Sequence, residues 1–241
     1  INFALGIRDF DVSRHQPHPP GYPLYVFLTH PFSYLPIGSL SYRINLFSAL
    51  AASLAVALTF LTARGLGARG AVSLAVALGF AFAPTFWSQA VIAEVYALNA
   101  AIVIGMLLLT ITWGRTRRPG YFYGAVALFS AGLGHHITIV GFAPAIAAYA
   151  LLTDRRFTLR ARTIGVSATL VAMGLLQYAF VLYRSLDPAA YVESRATTIP
   201  ALIDVVIARR YGFALFGHEW TAVFVGQVPR APNGKADYRA A

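Results

Sequence analysis

Long apolar segments separated by short arginine clusters are the feature that most limits what this chain can fold into. A helix that crosses a bilayer needs about 20 mainly apolar residues. The chain is 58% hydrophobic and only 12% charged, which is typical of a polytopic membrane protein and argues against a soluble domain. Six spans are predicted, at residues 44–63, 71–87, 96–113, 121–134, 137–152 and 163–183.

The arginine clusters follow the first, third and fifth predicted spans, so six spans place all three clusters on one side. The positive-inside rule makes that side cytoplasmic. Merging the short fourth and fifth spans would put the last two clusters on opposite faces, which favours a hairpin with its tip at residues 134–138. The net charge of +10 then reflects topology, and no nucleic-acid partner is expected. The clusters are Arg64 and Arg69; Arg115, Arg117 and Arg118; and Arg155, Arg156, Arg160 and Arg162.

A segment rich in proline and histidine precedes the first span and cannot form a regular helix, because proline fixes φ and lacks an N–H. Irregular backbone is not tolerated facing lipid, so this segment must lie in water, in an interface or in a protein-lined cavity. The topology puts it on the outer face, with the turn at 86–96 and the hairpin tip. We expect it to form part of a site. It reads His15-Gln16-Pro17-His18-Pro19-Pro20-Gly21-Tyr22-Pro23-Leu24-Tyr25.

The predicted architecture is an all-α polytopic membrane protein in three parts. Residues 1–43 form an extracytoplasmic loop with an interfacial or re-entrant helix at 22–34. Residues 44–183 form the transmembrane bundle. Residues 184–241 form an extracytoplasmic segment with an amphipathic helix at 200–216 and a disordered tail from Gln227. Because the sequence begins at Ile1 without a signal peptide, we expect a fragment or a processed product.

Glu94 is one of only two acids between residues 44 and 183, and it lies at the outer membrane edge. A carboxylate there is costly and indicates function. The alternative is an N-cap or first-turn acid that helps the third span begin. The other acid, Asp154, adjoins Arg155 and Arg156, where solvated ion pairing explains it.

Histidines offer further candidates on the same face. The pair His135 and His136 at the hairpin tip can bind a metal, transfer a proton or donate to a phosphate; the alternative is an interfacial turn with solvated rings. His15 and His18 have metal-like spacing, but the proline between them prevents a helix that would align them. No metal site is therefore predicted.

Three residues of the N-terminal loop complete the set. Arg43 lies on the wrong side for the positive-inside rule, where it suits a lipid-linked phosphate or ordinary headgroup snorkelling. Asp9 and Asp11 are the acids of this loop. They can act as base and orienter, or be solvated residues paired with Arg8 and Arg14.

Five segments of the chain occur together in a recognisable order. They are His18-Pro19-Pro20-Gly21-Tyr22-Pro23-Leu24-Tyr25, Arg43-Ile44-Asn45-Leu46-Phe47-Ser48-Ala49, Trp87-Ser88-Gln89-Ala90, Glu94-Val95-Tyr96 and Gly132-Leu133-Gly134-His135-His136. Together they resemble a bacterial family related to the eukaryotic transmembrane protein O-mannosyltransferases, within the GT-C superfamily of glycosyltransferases. The resemblance covers roughly residues 1–185 and extends more loosely to aminoarabinose and dolichyl-phosphate mannose transferases.

The resemblance implies a GT-C-like bundle that moves a hexose such as mannose from a polyprenyl-phosphate donor to an acceptor hydroxyl, with protein as the expected acceptor. Transfer is expected on the periplasmic face of a bacterial inner membrane. The family's base is an acid in the first outer loop, so it lies either upstream of Ile1 or at Asp9 or Asp11. The predicted catalytic residues are Glu94, Asp11 and Asp9; those predicted to bind donor or acceptor are Arg43, His135, His136, His18, Tyr22 and Tyr96.

Two other classes of function remain open at the level of sequence. In a transporter, Glu94 and the histidine pair would line a proton or substrate path, but the inverted repeats and broken helices typical of transporters are not evident in the sequence. A non-catalytic scaffold within a membrane complex is the second. Beyond the donor lipid, no cofactor is expected.

Overall fold

The computed structural model describes residues 2–10, 17–186 and 196–207, and every regular element in these ranges is helical, which confirms the all-α prediction. Short 3₁₀ helices at His30–Tyr34 and Ile137–Phe142 interrupt the series. The α-helices are α1 Asn2–Arg8, α2 Pro23–Thr29, α3 Leu40–Gly65, α4 Gly70–Ala81, α5 Pro84–Ala90, α6 Tyr96–Thr116, α7 Pro119–Leu133, α8 Ala143–Thr153, α9 Arg155–Thr158, α10 Ala161–Leu175, α11 Gln177–Arg184 and α12 Ile199–Val206.

Three helices of the described ranges are long and apolar enough to cross a membrane: α3, α6, and α10 together with α11. A fourth span arises if α4 and α5, bent by 67° where Pro84 begins the second helix, count as one. The predicted fourth and fifth spans fall short of the length that a helix needs to cross a membrane. Helix α7 has 15 residues, and the segment after the tip begins as a 3₁₀ helix. The count of six stays a prediction, whereas the break at the Gly-His-His tip is confirmed.

Close contacts at glycines show the relative directions of the central helices. Gly105 of α6 lies against Leu58 of α3 and Leu128 of α7, and Gly65 at the end of α3 lies against Leu108 of α6. Residue numbers therefore rise together along α3 and α6, which run parallel. They run oppositely in α6 and α7, where Ile102 meets Gly132 and Leu109 meets Gly124. These directions agree with the predicted alternation of segments.

Aromatic packing brings the second and third arginine clusters to one end of the bundle. The Trp113 ring lies 5.6 Å from Phe157 and 5.1 Å from Phe122, measured between centroids. Arg117 lies over the Trp113 ring and donates to the Thr153 carbonyl. Because α3 runs parallel to α6, its arginines are at this end too. The prediction that the three clusters share a side is confirmed, and the tip after α7 lies at the opposite end.

The predictions for the segments before and after the bundle are confirmed only in part. The segment at 22–34 is helical, as expected, in α2 and the 3₁₀ helix that follows. The helix predicted at 200–216 is seen as α12, where the Thr198 hydroxyl accepts from the Ala201 amide and Pro200 occupies the first turn. Helix α12 ends at Val206. Asp11, His15, residues 208–216 and the tail from Gln227 lie outside the described residues. The division into three parts at 43 and 183 stays a prediction.

We expect Gly174→Ala to destabilise the bundle, because a methyl group there would overlap the backbone of Ser130 where α10 crosses α7. Overpacking typically costs about 1–3 kcal/mol, and backbone cannot move aside as a side chain can. Thermal unfolding in detergent measures the loss. The matched control is Gly165→Ala on the same helix, where a methyl group meets nothing within 4 Å; it should be neutral or slightly stabilising. Equal unfolding temperatures for the two variants would contradict this packing.

Candidate functional site

The Gly-His-His tip is a tight turn closed by backbone hydrogen bonds. The amides of His135 and His136 both donate to the Gly132 carbonyl, at 2.9 and 3.0 Å. The next helix is capped by the His136 ring, whose Nδ1 accepts from the Thr138 amide at 3.3 Å and from the Thr138 hydroxyl at 2.9 Å. The two imidazoles therefore leave the tip in fixed directions.

The proline-rich segment docks onto this tip. The amide of Leu24, in the first turn of α2, donates to the Gly134 carbonyl at 3.0 Å. Beside that bond, the Tyr25 ring stacks on His135 with centroids 6.1 Å apart, and the Tyr22 ring lies 6.0 Å from His136. Two segments more than 100 residues apart in sequence thus form one surface, as the topology predicted.

Left-handed backbone makes this docking possible. Gly21 has φ 93° and Tyr22 has φ 46°, a region that costs a residue with a side chain roughly 1–2 kcal/mol. The Tyr22 hydroxyl is within 3.1 Å of the His18 Nε2, and its ring packs edge-on against Phe3 of α1. These contacts hold Tyr22 in its left-handed conformation. A strained residue persists where the surrounding structure holds it in this way.

The turn that carries Glu94 is also fastened to the tip. The His135 Nε2 lies 2.9 Å from the Val95 carbonyl oxygen, and the Tyr96 ring lies 5.8 Å from the His136 ring. The structure therefore brings together six of the predicted residues around the tip: Glu94, Tyr96, His135, His136, Tyr22 and His18.

Glu94 itself is half-buried between α5 and α6. Burial raises the pKa of its carboxyl above the ordinary 4.5, and the nearby Val95 amide partly opposes the shift. The alternative reading of Glu94 as an N-cap or first-turn acid is wrong, because α6 begins at Tyr96, has Val95 at its N-cap and holds no acid in its first turn.

The two histidines differ in environment. His135 is fully buried, and burial lowers its pKa to about 4, so the ring is neutral at physiological pH. Its one N–H points to the Val95 carbonyl, which does not suit the role of a cation at a phosphate. His136 is half-buried, and burial also lowers its pKa. Because its Nδ1 accepts hydrogen bonds, its neutral tautomer carries the proton on Nε2.

The remaining predicted residues lie in other contacts. Asp9 is paired with Arg184 of α11 at 2.8 Å, and Arg184 also donates to the Phe10 carbonyl at 2.9 Å. Arg43 donates to three backbone carbonyls, those of Ser33, Leu35 and Ser39. Its Nε and Nη1 are therefore engaged in closing the turn after the 3₁₀ helix His30–Tyr34.

Sequence reasoning missed several residues of the site. Tyr25 and Thr138 were within recognised motifs but carry no charge to single them out. Asn99 donates to the Thr138 hydroxyl at 3.4 Å, and Phe3 packs edge-on against Tyr25 at 4.8 Å. No local pattern marks either one, because each is brought in by a contact between distant segments.

We predict that acid destabilises the fold through His135. A base whose pKa is about 4 when folded and 6.5 when unfolded binds fewer protons in the folded state between those values. Stability should therefore be lost as the pH falls from 6.5 towards 4, by up to about 3 kcal/mol. His135→Gln keeps an N–H donor but does not titrate. Chemical denaturation across this range should show a shallower pH dependence for the variant; identical slopes would contradict the buried, neutral ring.

Comparison with known proteins agrees with the resemblance. Residues 12–160 match the family described as the protein O-mannosyl-transferase TMEM260 N-terminal domain. The chain is 29% identical over 226 residues to protein O-mannosyl-transferase TMEM260 of Mus musculus. This alignment covers 88% of the chain and 32% of the mouse protein. It is 32% identical over 103 residues to the Dictyostelium discoideum protein of the same name, covering 42% of this chain and 13% of that protein.

No solved structure matches the chain. The chain spans about a third of the length of its mouse relative and less of the Dictyostelium one. The predicted relationship to transmembrane protein O-mannosyltransferases is confirmed, whereas a bacterial origin stays a prediction. Since the family match extends over well more than half of its residues, the chain belongs to the protein O-mannosyl-transferase TMEM260 N-terminal domain family.

Proposed function

We propose that this chain is the N-terminal part of a membrane glycosyltransferase that moves a hexose, with mannose the first choice, from a polyprenyl-phosphate donor to a hydroxyl of an acceptor protein. The observation that carries the proposal is that Glu94, His136, Tyr22 and Tyr96 lie close together at the bundle end opposite the arginine clusters. The names of the mouse and Dictyostelium relatives supply the sugar and the protein acceptor.

Glu94 is the proposed general base. A base works best when its pKa approaches the working pH, and burial moves the Glu94 carboxyl in that direction. Asp9 is less suited, because the Arg184 guanidinium lies 2.8 Å away and engages one of its carboxylate oxygens. Asp11 lies outside the described residues and is kept as a further candidate.

The lipid phosphate is proposed to lie against His136. Its Nε2–H is the one donor of the neutral ring, and it makes no hydrogen bond with any described residue. Tyr22 and Tyr96 flank the ring within 6.0 Å. Arg43, predicted from sequence to bind the donor, is kept as a further candidate, since its bonds to carbonyls use Nε and Nη1. Donors aimed at a leaving phosphate stabilise the charge that develops on it.

The reaction proposed is a single displacement. Glu94 accepts the proton of the acceptor hydroxyl while that oxygen attacks the anomeric carbon of the sugar. The bond from this carbon to the phosphate oxygen breaks, and the electron pair leaves with the polyprenyl phosphate. By the positive-inside rule, the end without arginine clusters faces the extracytoplasmic side, where donor and acceptor would meet. From sequence, we expect this membrane to be a bacterial inner membrane, with the site facing the periplasm.

Glu94→Gln should lower transfer from a mannosyl polyprenyl-phosphate donor by roughly 100-fold or more, because the amide cannot accept the proton. In the wild type, the rate should fall on acidification through a pKa above the ordinary value of 4.5. Radiolabelled sugar transfer by the full-length protein measures both. Asp154→Asn is the matched control, because its cap on the Phe157 amide survives and it lies at the arginine end. A larger loss for Asp9→Asn than for Glu94→Gln would move the base to Asp9.

The stereochemistry gives an independent prediction. One direct displacement inverts the configuration at the anomeric carbon, because attack and departure occur on opposite faces. NMR of the glycosylated product should therefore show the anomer opposite to that of the donor. Retention of configuration would contradict a single displacement with attack on the face opposite the leaving phosphate.

A further inference from the structure

We infer that His135 is a positioning residue, which holds the turn carrying Glu94 against the hairpin tip by donating its Nε2–H to the Val95 carbonyl. The inference rests on the function proposed above, and it replaces the donor-binding role predicted from sequence for this histidine. Val95 lies between Glu94 and Tyr96, so one bond to its carbonyl acts on both neighbours.

The accepting carbonyl is itself fixed. The Val95 oxygen receives the Asn99 amide at 3.0 Å, the first hydrogen bond of α6, and the His135 ring at 2.9 Å. A carbonyl oxygen has two lone pairs and can accept both. His135 therefore ties the tip to the rigid start of a membrane-spanning helix, which lets it define the position of the adjacent turn.

The donor is equally constrained. His135 has no exposed surface, its ring stacks on Tyr25 at an interplanar angle of 24°, and its amide is bonded to Gly132. The neighbouring Gly134 carbonyl receives the Leu24 amide. The ring cannot swing towards a ligand without breaking these contacts, so its effect on the reaction must pass through Val95.

Hydrogen bonding also fixes the charge of the ring. Nε2 must carry the proton to bond a carbonyl, and Nδ1 is buried without a partner among the described residues. A second proton on Nδ1 would be a buried, unsatisfied donor, which is costly. The titratable groups nearby are His136, Tyr25 and Glu94. The neutral ring therefore serves as a fixed N–H donor.

The first test is kinetic and compares three substitutions in the full-length protein. His135→Gln retains a donor at the position of Nε2 and should keep kcat within about threefold of wild type, whereas His135→Leu should lower kcat roughly 10- to 100-fold, since a displacement of about 1 Å can cost that much. KM for the lipid donor should change by no more than about threefold in both, because His136 at the proposed phosphate site is held by its own hydrogen bonds to Thr138. His135→Lys should behave like the leucine variant.

The opposite pattern would overturn the inference. If His135 binds the phosphate as a cation, His135→Lys should retain activity and His135→Gln should raise KM for the donor. Ile139→Ala is the control for general loss of core packing, because Ile139 is also fully buried at the tip. A loss of kcat in Ile139→Ala equal to that in His135→Leu would reduce His135 to an ordinary core residue.

The second test does not depend on activity. This chain has no cysteine, so in the full-length protein, with any cysteine outside this chain replaced by serine, a nitroxide can be attached at Ile92→Cys, an exposed position in the turn. Electron paramagnetic resonance should show a more mobile label with His135→Leu, and an unchanged label with His135→Gln or Ile139→Ala. If the leucine variant fails to fold, His135→Asn, whose amide is too short to reach Val95, takes its place.

The two tests separate the two claims. Absence of sugar transfer by the wild type would reject the proposed function, while the label would still report whether His135 holds the turn. A label of equal mobility in wild type and in the variant lacking the donor would reject the positioning role, whatever the activity.

Discussion

The hydrogen bond between the His135 ring and the Val95 carbonyl is the interaction on which the arrangement of the site depends. Its partner in this role is the bond from the Leu24 amide to the Gly134 carbonyl, one residue earlier. Together they fasten the N-terminal loop and the turn before α6 to one short tip. Buried polar groups need partners, and here that need joins three segments that are distant in sequence.

The bundle has two chemically different ends because the helices alternate in direction. At one end, the turns carry arginines and an aromatic cluster around Trp113. At the other end lie the half-buried Glu94, the histidine pair and their tyrosines. This separation favours an enzyme that works at a membrane surface over a transporter, whose polar path would have to continue towards the arginine end.

Much of the architecture could be predicted from sequence, because hydrophobic length and arginine placement act locally. The break at Gly134 to His136 and the shared side of the arginine clusters follow from these signals. The bend between α4 and α5 was missed although Pro84 marks it, since one apolar run covers both helices.

The contacts of individual side chains were less accessible to sequence reasoning. His135 and His136 are adjacent and chemically identical, yet only packing decides that one is buried and neutral. Asp9 forms an ion pair with Arg184, 175 residues away in sequence, and no local pattern indicates that contact. Arg43 closes a local turn through backbone carbonyls, which leave no signature in sequence.

Photo-crosslinking with a mannosyl polyprenyl phosphate that bears a diazirine beside its phosphate tests the central claim most directly. The site described here predicts labelled peptides that contain Tyr22, Tyr96 or His136, with competition by unmodified donor. Labelling confined to the opposite end, around Trp113 and Phe157, would contradict it.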